Sequence, residues 1–341
     1  MHKHFWKNRT VLVTGGSGLL GGWLVSALLR EQAEVVVLLR DELPNCMLVR
    51  EDFLRQVTVV RGSLAELALL KRTIAEYQPE TIFHLAAQTL VGVAKIDPVG
   101  TLEANVQGTW NLLEATRLSR VGQIVIASSD KAYGESDNLP YREDHPLHGR
   151  YPYDVSKSCA DLICQMYAAT YQVRAGISRC GNLFGGGDLN FSRTIPGVIR
   201  ATLAGERFVI RSDGKFVRDF LYVEDAVDAY LLLAEHLAKD PSLAGRAFNF
   251  SLETRLTVLE LVEKLLSLLG RPDLRPVIQN DASNEIREQY MLATSARERL
   301  GWTPKFGMEQ GLLKTIDWYR NLFLTKRTPE LVFQAVSGNL R

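Results

Sequence analysis

Short runs of aliphatic and β-branched residues recur along the first half of the chain, spaced so that a helix fits between each pair. Stretches 10–14, 35–39, 57–60, 81–85, 123–128 and 175–179 are almost continuously apolar, as strands buried on both faces of a parallel sheet are. Between them, 19–32, 64–77, 99–119 and 153–171 carry apolar residues at helical spacing. This alternation predicts an α/β fold with a doubly wound parallel sheet, on which ligands bind just beyond the carboxyl ends of the strands. Past Gly181 the rhythm loosens into Gly185-Gly186-Gly187 and a basic stretch with Arg211, Lys215 and Arg218, followed by a helix over 256–269. We therefore expect residues 1–180 to form the sheet domain and 181–341 mainly a smaller C-terminal substrate-binding lobe. That lobe is discontinuous, because a helix over 225–236 and a strand over 247–250 should return to the sheet. The last fifteen or so residues lack periodicity and are expected to be a loosely held tail.

Composition narrows the partner. Forty Lys and Arg stand against 39 Asp and Glu, so the chain has no overall field with which to hold nucleic acid or an anionic membrane. No apolar run approaches the roughly 18–20 residues that cross a bilayer, and the first nine residues lack the apolar stretch of a signal peptide. A cytoplasmic protein with a small-molecule partner is expected. The four cysteines (Cys46, Cys159, Cys164, Cys180) form no C-x-x-C pair and read as reduced packing residues. No metal site is expected.

The first strand runs into Gly15-Gly16-Ser17-Gly18-Leu19-Leu20-Gly21 and then a helix. A strand, G-x-x-G-x-x-G and a helix in that order suit a dinucleotide: Gly15 allows the tight turn, Gly18 the approach of the pyrophosphate, and Gly21 close helix–strand packing. At the end of the second strand, where an acid suits the ribose of NAD and an arginine the phosphate of NADP, stand Arg40 and Asp41. The cofactor is thus NAD(P), undecided between the two. Further on, Tyr153-Asp154-Val155-Ser156-Lys157 places a phenol and an ammonium at i and i+4 on one helix face. An ammonium close by would favour the phenolate, letting Tyr153 take a proton from a substrate hydroxyl. Ser128-Ser129, at the end of the fifth strand, offers a hydroxyl to the same oxygen.

Together with His84-Leu85-Ala86-Ala87-Gln88, Asn105-Val106-Gln107-Gly108-Thr109, Arg218-Asp219-Phe220-Leu221-Tyr222-Val223-Glu224-Asp225 and Leu300-Gly301-Trp302-Thr303-Pro304, these motifs resemble the extended short-chain dehydrogenase/reductase family across nearly the whole chain. The resemblance implies a Rossmann-type sheet, a homodimer through the helices at 99–119 and 153–171, and a nucleotide sugar as substrate. It also implies that Gly15, Gly18, Leu19, Leu20, Gly21, Arg40, Asp41, Ser63, Leu64, Leu85, Ala86, Ala87, Gln88, Asn105, Tyr153 and Lys157 line the cofactor. Gln88, Ser129, Asn182, Arg193 and Arg218 would meet the substrate, Arg218 at the diphosphate unless it pairs with Asp219 or Glu224.

Within that family, Ser129-Asp130-Lys131 resembles the nucleotide-hexose 4,6-dehydratases, most of all the CDP-glucose type. The Arg218–Asp225 stretch is closer to the dTDP-glucose and GDP-mannose enzymes, and Gly62-Ser63 stands where Gly-Asp is usual, so the nucleotide stays open. The resemblance implies that Tyr153, Lys157 and Ser129 oxidise the sugar at C4, Asp130 protonates the departing C6 hydroxyl and Lys131 takes the C5 proton. Neutral Lys131 would need burial and the nearby Lys157 cation to lower its pKa. A 4-epimerase would use Ser129, Tyr153 and Lys157 alike but leave C6 untouched; a non-catalytic dinucleotide sensor would need neither Tyr153 nor Lys157.

Overall fold

The computed structural model describes residues 4–41, 43–281 and 285–325; the tail expected at the C-terminus lies outside them. Six strands follow one another through the first half: β1 (Thr10–Thr14), β2 (Glu34–Leu39), β3 (Thr58–Arg61), β4 (Thr81–His84), β5 (Gln123–Ala127) and β6 (Ala175–Cys180). The strand Ala247–Phe250 joins them in a seven-stranded sheet ordered β3-β2-β1-β4-β5-β6 with Ala247–Phe250 at the far edge. Every pairing in it is parallel, with Thr14 opposite both Leu38 and His84. The order reverses at β1, and a crevice outside the carboxyl ends of the strands at such a reversal is where these sheets bind ligands.

Alternation along each strand feeds two cores. Val11, Val13, Val35, Val37, Phe83 and Val125 pack on one face, toward helices Leu19–Arg30 and Val223–Lys239. Leu12, Val36, Leu38, Ile82, Ile124 and Ile126 pack on the other, toward helices Leu67–Tyr77, Gly108–Ser119 and Pro152–Tyr171. Each fully buried aliphatic side chain contributes about 1.5–3 kcal/mol, so a one-residue slip in any strand would forfeit many such contributions at once.

The helix expected over 99–119 is instead three pieces. Pro98–Leu102 is followed by a π-helical turn, Glu103–Gln107, and then by Gly108–Ser119. Thr109 Oγ1 donates to the Asn105 carbonyl at 2.6 Å, while the Asn105 amide bonds sideways to Gln88 and Ser156; such inserted polar groups widen a helix. A short helix, Val91–Ile96, precedes it, and the long closing helix Met308–Thr325 was also not expected. Residues beyond β6 supply small two-stranded pairings, among them Asn182–Phe184 with Phe220–Tyr222 and Val217–Arg218 with Leu256–Thr257. These stand over the carboxyl ends of the sheet strands. Among the described residues all four cysteines are free, three of them buried, and no helix is long and apolar enough to cross a membrane.

Candidate active site

A cleft of about 1170 Å³ opens along the carboxyl ends of β1, β2, β4, β5 and β6. Its floor begins at the loop after β1. Gly15 holds φ +75°, and a Cβ there would lie 2.6 Å from the Ala86 nitrogen, so only glycine lets the β1 and β4 loops approach this closely. At Gly21 a Cβ would collide with the Gly15 carbonyl. Gly18 caps helix Leu19–Arg30 in an extended conformation without any side-chain cap bond. Ser17, Gly18, Leu19 and Leu20 face the cleft there, so the first-turn N–H groups and the positive end of the helix dipole are available to a diphosphate. The cradle fits a dinucleotide. At its far end Arg40 and Asp41, both exposed, pair with each other at 2.7 Å.

Every residue anticipated for the cofactor or substrate lines this one cleft except Asn105. Asn105 is a correction: only 2% exposed, it sits one layer behind the wall. There its Oδ1 accepts from the Gln88 N–H at 2.7 Å and its Nδ2 donates to the Gln88 carbonyl at 3.0 Å and to Ser156 Oγ at 2.8 Å. It holds the Gln88 loop in place. His84, also buried, bridges Thr14 and Thr109 at 2.8 and 3.0 Å; burial, and then the Lys157 charge, lower its pKa to about 3.

The reacting groups converge where β5 ends. Ser128 turns inward and donates to Asp161 at 2.8 Å, leaving the Ser129 hydroxyl on the cleft that Tyr153 also lines. Ser129 Oγ donates to Asp130 Oδ1 at 2.9 Å and accepts from the Lys131 N–H at 3.2 Å, which starts the tight turn Asp130–Tyr133. Asp130 is buried, and its Oδ2 has no hydrogen-bond partner among the described residues. Tyr153 and Lys157 lie on helix Pro152–Tyr171, begun by a proline in its first turn. The Lys157 ammonium is 5.9 Å from the Tyr153 ring centroid and donates to the Ala127 carbonyl at 2.9 Å. Burial lowers its pKa to about 8, against the pull of Asp161.

Two electrostatic expectations are corrected. Burial pushes the Tyr153 phenol well above its ordinary range, and what opposes this is chiefly Arg193, then the Ser129 hydroxyl, instead of Lys157. Lys131 is lowered by burial and next by Arg218, not by Lys157; Asp130, Asp154 and Glu285 pull it back up. The reason is placement. Lys157 points beneath β5 to Ala127, while Arg218 reaches in from the strand Val217–Arg218. Arg218, 8% exposed, donates to the carbonyls of Val217 and Arg287 at 2.9 and 3.2 Å, and its ionic partner is Glu285 at 3.4 Å, in place of Asp219 or Glu224. Asn182 donates to the Asp219 carbonyl at 3.3 Å, and Arg193 pairs with Asp188 at 3.2 Å.

Four polar residues around the site were not anticipated. Asp161 anchors the helix from below through Ser128 and Arg179; an acid four positions after Lys157 in an otherwise apolar helix stretch was its only sequence signal. Asp154, beside Tyr153, is raised by burial to about 6, with Lys131 opposing. Glu285 and Gln289 arrive from a distant segment with no local signature, Gln289 accepting a hydrogen bond from the Lys131 ammonium. Behind Arg218, Asp219 is fully buried; it accepts from Ser251 and, at 3.3 Å, from the Met291 N–H, and burial raises its pKa to about 8.

A dinucleotide cradle on a doubly wound sheet, with Ser129, Tyr153 and Lys157 beside it, defines a nicotinamide-dependent enzyme that moves hydride at a carbinol carbon. The chain belongs to the NAD dependent epimerase/dehydratase family, which it matches over residues 11–250. It is similar to the CDP-glucose 4,6-dehydratase of Salmonella typhimurium, with 30% identity over 93% of this chain and 92% of that protein. The UDP-glucose 4-epimerase of Mycolicibacterium smegmatis is 32% identical over 91% of this chain and 98% of its own length. Among solved structures, the dTDP-glucose 4,6-dehydratase of Streptomyces venezuelae, crystallised with NAD, covers 92% of this chain and 97% of its own, with a TM-score of 0.83 and 29% identity.

Proposed function

We propose that the protein is a nucleotide-hexose 4,6-dehydratase, converting an NDP-hexose to an NDP-4-keto-6-deoxyhexose and water. The observation that carries this reading is the placement of Asp130 and Lys131 on the same cleft as Tyr153 and Lys157. An acid and an amine next to the oxidation set serve an elimination and have no task in a simple epimerisation.

The Gly15–Gly21 loop, Ser63, Leu64, the Leu85–Gln88 wall, Tyr153 and Lys157 would hold the dinucleotide, which would supply reversible hydride transfer, from C4 of the sugar and back to C6. Tyr153 takes the C4 hydroxyl proton while Ser129 holds that oxygen. The resulting ketone acidifies C5, whose proton passes to the lone pair of Lys131. Asp130 gives a proton to the C6 hydroxyl, which leaves as water. The Lys131 proton returns to C5 as the hydride returns to C6, so no net oxidant is consumed, and the proton taken up by Tyr153 offsets the one given up by Asp130. Asn182, Arg193 and Arg218 hold the substrate, Arg218 at the diphosphate.

Residues 1–180 with the segment near 225–250 act as the cofactor domain, and the remainder of 181–341 as the substrate lobe, in a cytoplasmic homodimer. The dimer is supported by Ile96, Val99, Trp110, Leu162 and Met166, apolar residues exposed on the helices at 91–119 and 152–171; a sedimentation mass of one chain would overturn it. The deciding experiment for the activity is incubation with CDP-, dTDP-, GDP- and UDP-hexoses. Mass spectrometry showing loss of water from one of them supports the dehydratase, whereas a changed C4 configuration at constant mass makes the protein an epimerase.

A further inference from the structure

Gln289 lies 158 residues from Lys131 and touches it: the Lys131 ammonium donates to the Gln289 Oε1. Gln289 is fully buried, and the chain around it is clamped from several directions. Its N–H donates to the Val217 carbonyl at 3.1 Å, and Val217 N–H donates to Arg287 at 2.9 Å. Tyr141 pairs with both neighbours beyond, donating to the Tyr290 carbonyl at 3.0 Å and accepting from the Leu292 N–H at 3.0 Å. The amide oxygen is therefore a fixed point for the Lys131 ammonium, which sits on the short turn Asp130–Tyr133 at the end of β5.

Charged groups face Lys131 from every side: Asp130 on its own turn, Asp154 from helix Pro152–Tyr171, Arg218 from the strand Val217–Arg218, and Glu285 from the segment that also bears Gln289. The group in hydrogen-bond contact is nonetheless uncharged. An amide oxygen accepts from an ammonium and from a neutral amine alike, so it holds the nitrogen through a whole proton-transfer cycle. A carboxylate in its place would bind the charged form preferentially and keep the proton on it.

We propose that Gln289 is the positioning residue of the base: its neutral amide holds the Lys131 nitrogen toward the sugar in both protonation states. The inference rests on the reading of Lys131 as the C5 base, and its test separates the two. The full-length holoenzyme and its Gln289→Glu, Gln289→Met and Lys131→Ala variants are compared by two readouts. The first is the pH dependence of acetylation of Lys131 by acetic anhydride, followed on its peptide by mass spectrometry without substrate. The second is exchange of the C5 proton of CDP-glucose in deuterated water, or of whichever hexose nucleotide loses water in the panel.

Gln289→Glu should move the acetylation midpoint up by about one pH unit or more and slow C5 exchange at pH 7 by about tenfold, the factor that one unit carries. Raising the pH should restore the rate. Gln289→Met, which keeps the volume and removes the acceptor, should slow exchange at every pH while C4 oxidation proceeds; it carries the test alone if the glutamate variant does not fold. Unchanged midpoints and exchange rates in both Gln289 variants, with Lys131→Ala stalled, would overturn the role of Gln289 and leave Lys131 as the base. Exchange at the wild-type rate in Lys131→Ala would instead remove the base reading and this inference with it.

Discussion

The Arg179 guanidinium grips both oxygens of the Asp161 carboxylate, Nε to Oδ2 at 2.8 Å and a terminal nitrogen to Oδ1 at 2.9 Å, with both side chains out of reach of solvent. Arg179 belongs to β6 and Asp161 to the helix that bears Tyr153 and Lys157. The pair, joined by Ser128, rivets that helix to the sheet. Arg179→Ala leaves a buried carboxylate without its partner, and breaking a buried pair this way costs about 3–5 kcal/mol. Denaturant unfolding of the variant measures it; a loss below about 1 kcal/mol would show that the pair is replaceable.

Tyr153→Phe and Lys131→Ala should stop the reaction on opposite sides of one step. The first keeps cofactor binding but loses at least about two orders of magnitude in turnover, the size of a general-base contribution, with no keto sugar formed. The second should oxidise C4 and then stall, so a 4-keto sugar accumulates with the near-ultraviolet absorbance of reduced nicotinamide. Single-turnover absorbance with product mass spectrometry distinguishes them. Near-normal turnover in either variant would remove that residue from its role.

The Arg40–Asp41 pair is exposed on both sides, so neither charge is committed to the fold and either can turn to a ribose. Both NAD and NADP should bind measurably, and Arg40→Ala should weaken NADP more than NAD. Titration of each cofactor by intrinsic fluorescence is the measurement. Equal losses for the two would show that Arg40 does not read the ribose phosphate.

Of the fold, β1, β2, β4 and β5 were legible because strands buried along almost their whole length leave a nearly unbroken apolar signature, while the half-buried β3 was found by its place in the strand–helix alternation. The break at Glu103–Gln107 was not, since it arises from the lateral bonds of Asn105 to Gln88 and Ser156, and periodicity along a helix carries no trace of them. Helix Met308–Thr325 could have been found, for Leu312, Ile316, Tyr319 and Leu322 recur at helical spacing and are buried. In the site, motif residues such as Ser129, Tyr153 and Lys157 could be named in advance and do share one cleft. Their electrical neighbours could not. That Arg218, Glu285 and Gln289 surround Lys131 depends on two later segments, the second of them 158 residues away at Gln289, folding back to the end of β5.

Buried Asp219 gives a pH signature of its own. Its pKa in the folded chain, about 8, lies above the ordinary value near 3.9, so the folded state retains a proton that the unfolded chain has released. Stability from this group is whole below about pH 4, declines as pH rises toward 8, and is lost beyond, with a slope of up to about 1.4 kcal/mol per pH unit. Asp219→Asn, which keeps an oxygen for Ser251 and the Met291 N–H, should flatten that decline. Thermal melts from pH 5 to 9 should show the variant gaining on wild type as pH rises; a constant difference would contradict it.

Because the outermost strand next to β6 is Ala247–Phe250, the sheet is finished by residues made long after its other strands. During synthesis the free side of β6 stays open while residues 181–246 emerge, offering unpaired backbone groups to any passing strand. A chain cut short before Ala247 would keep that edge for good. Premature termination in this stretch of the message would therefore yield an adhesive fragment, one for the cell's chaperones and proteases, instead of a merely inactive enzyme.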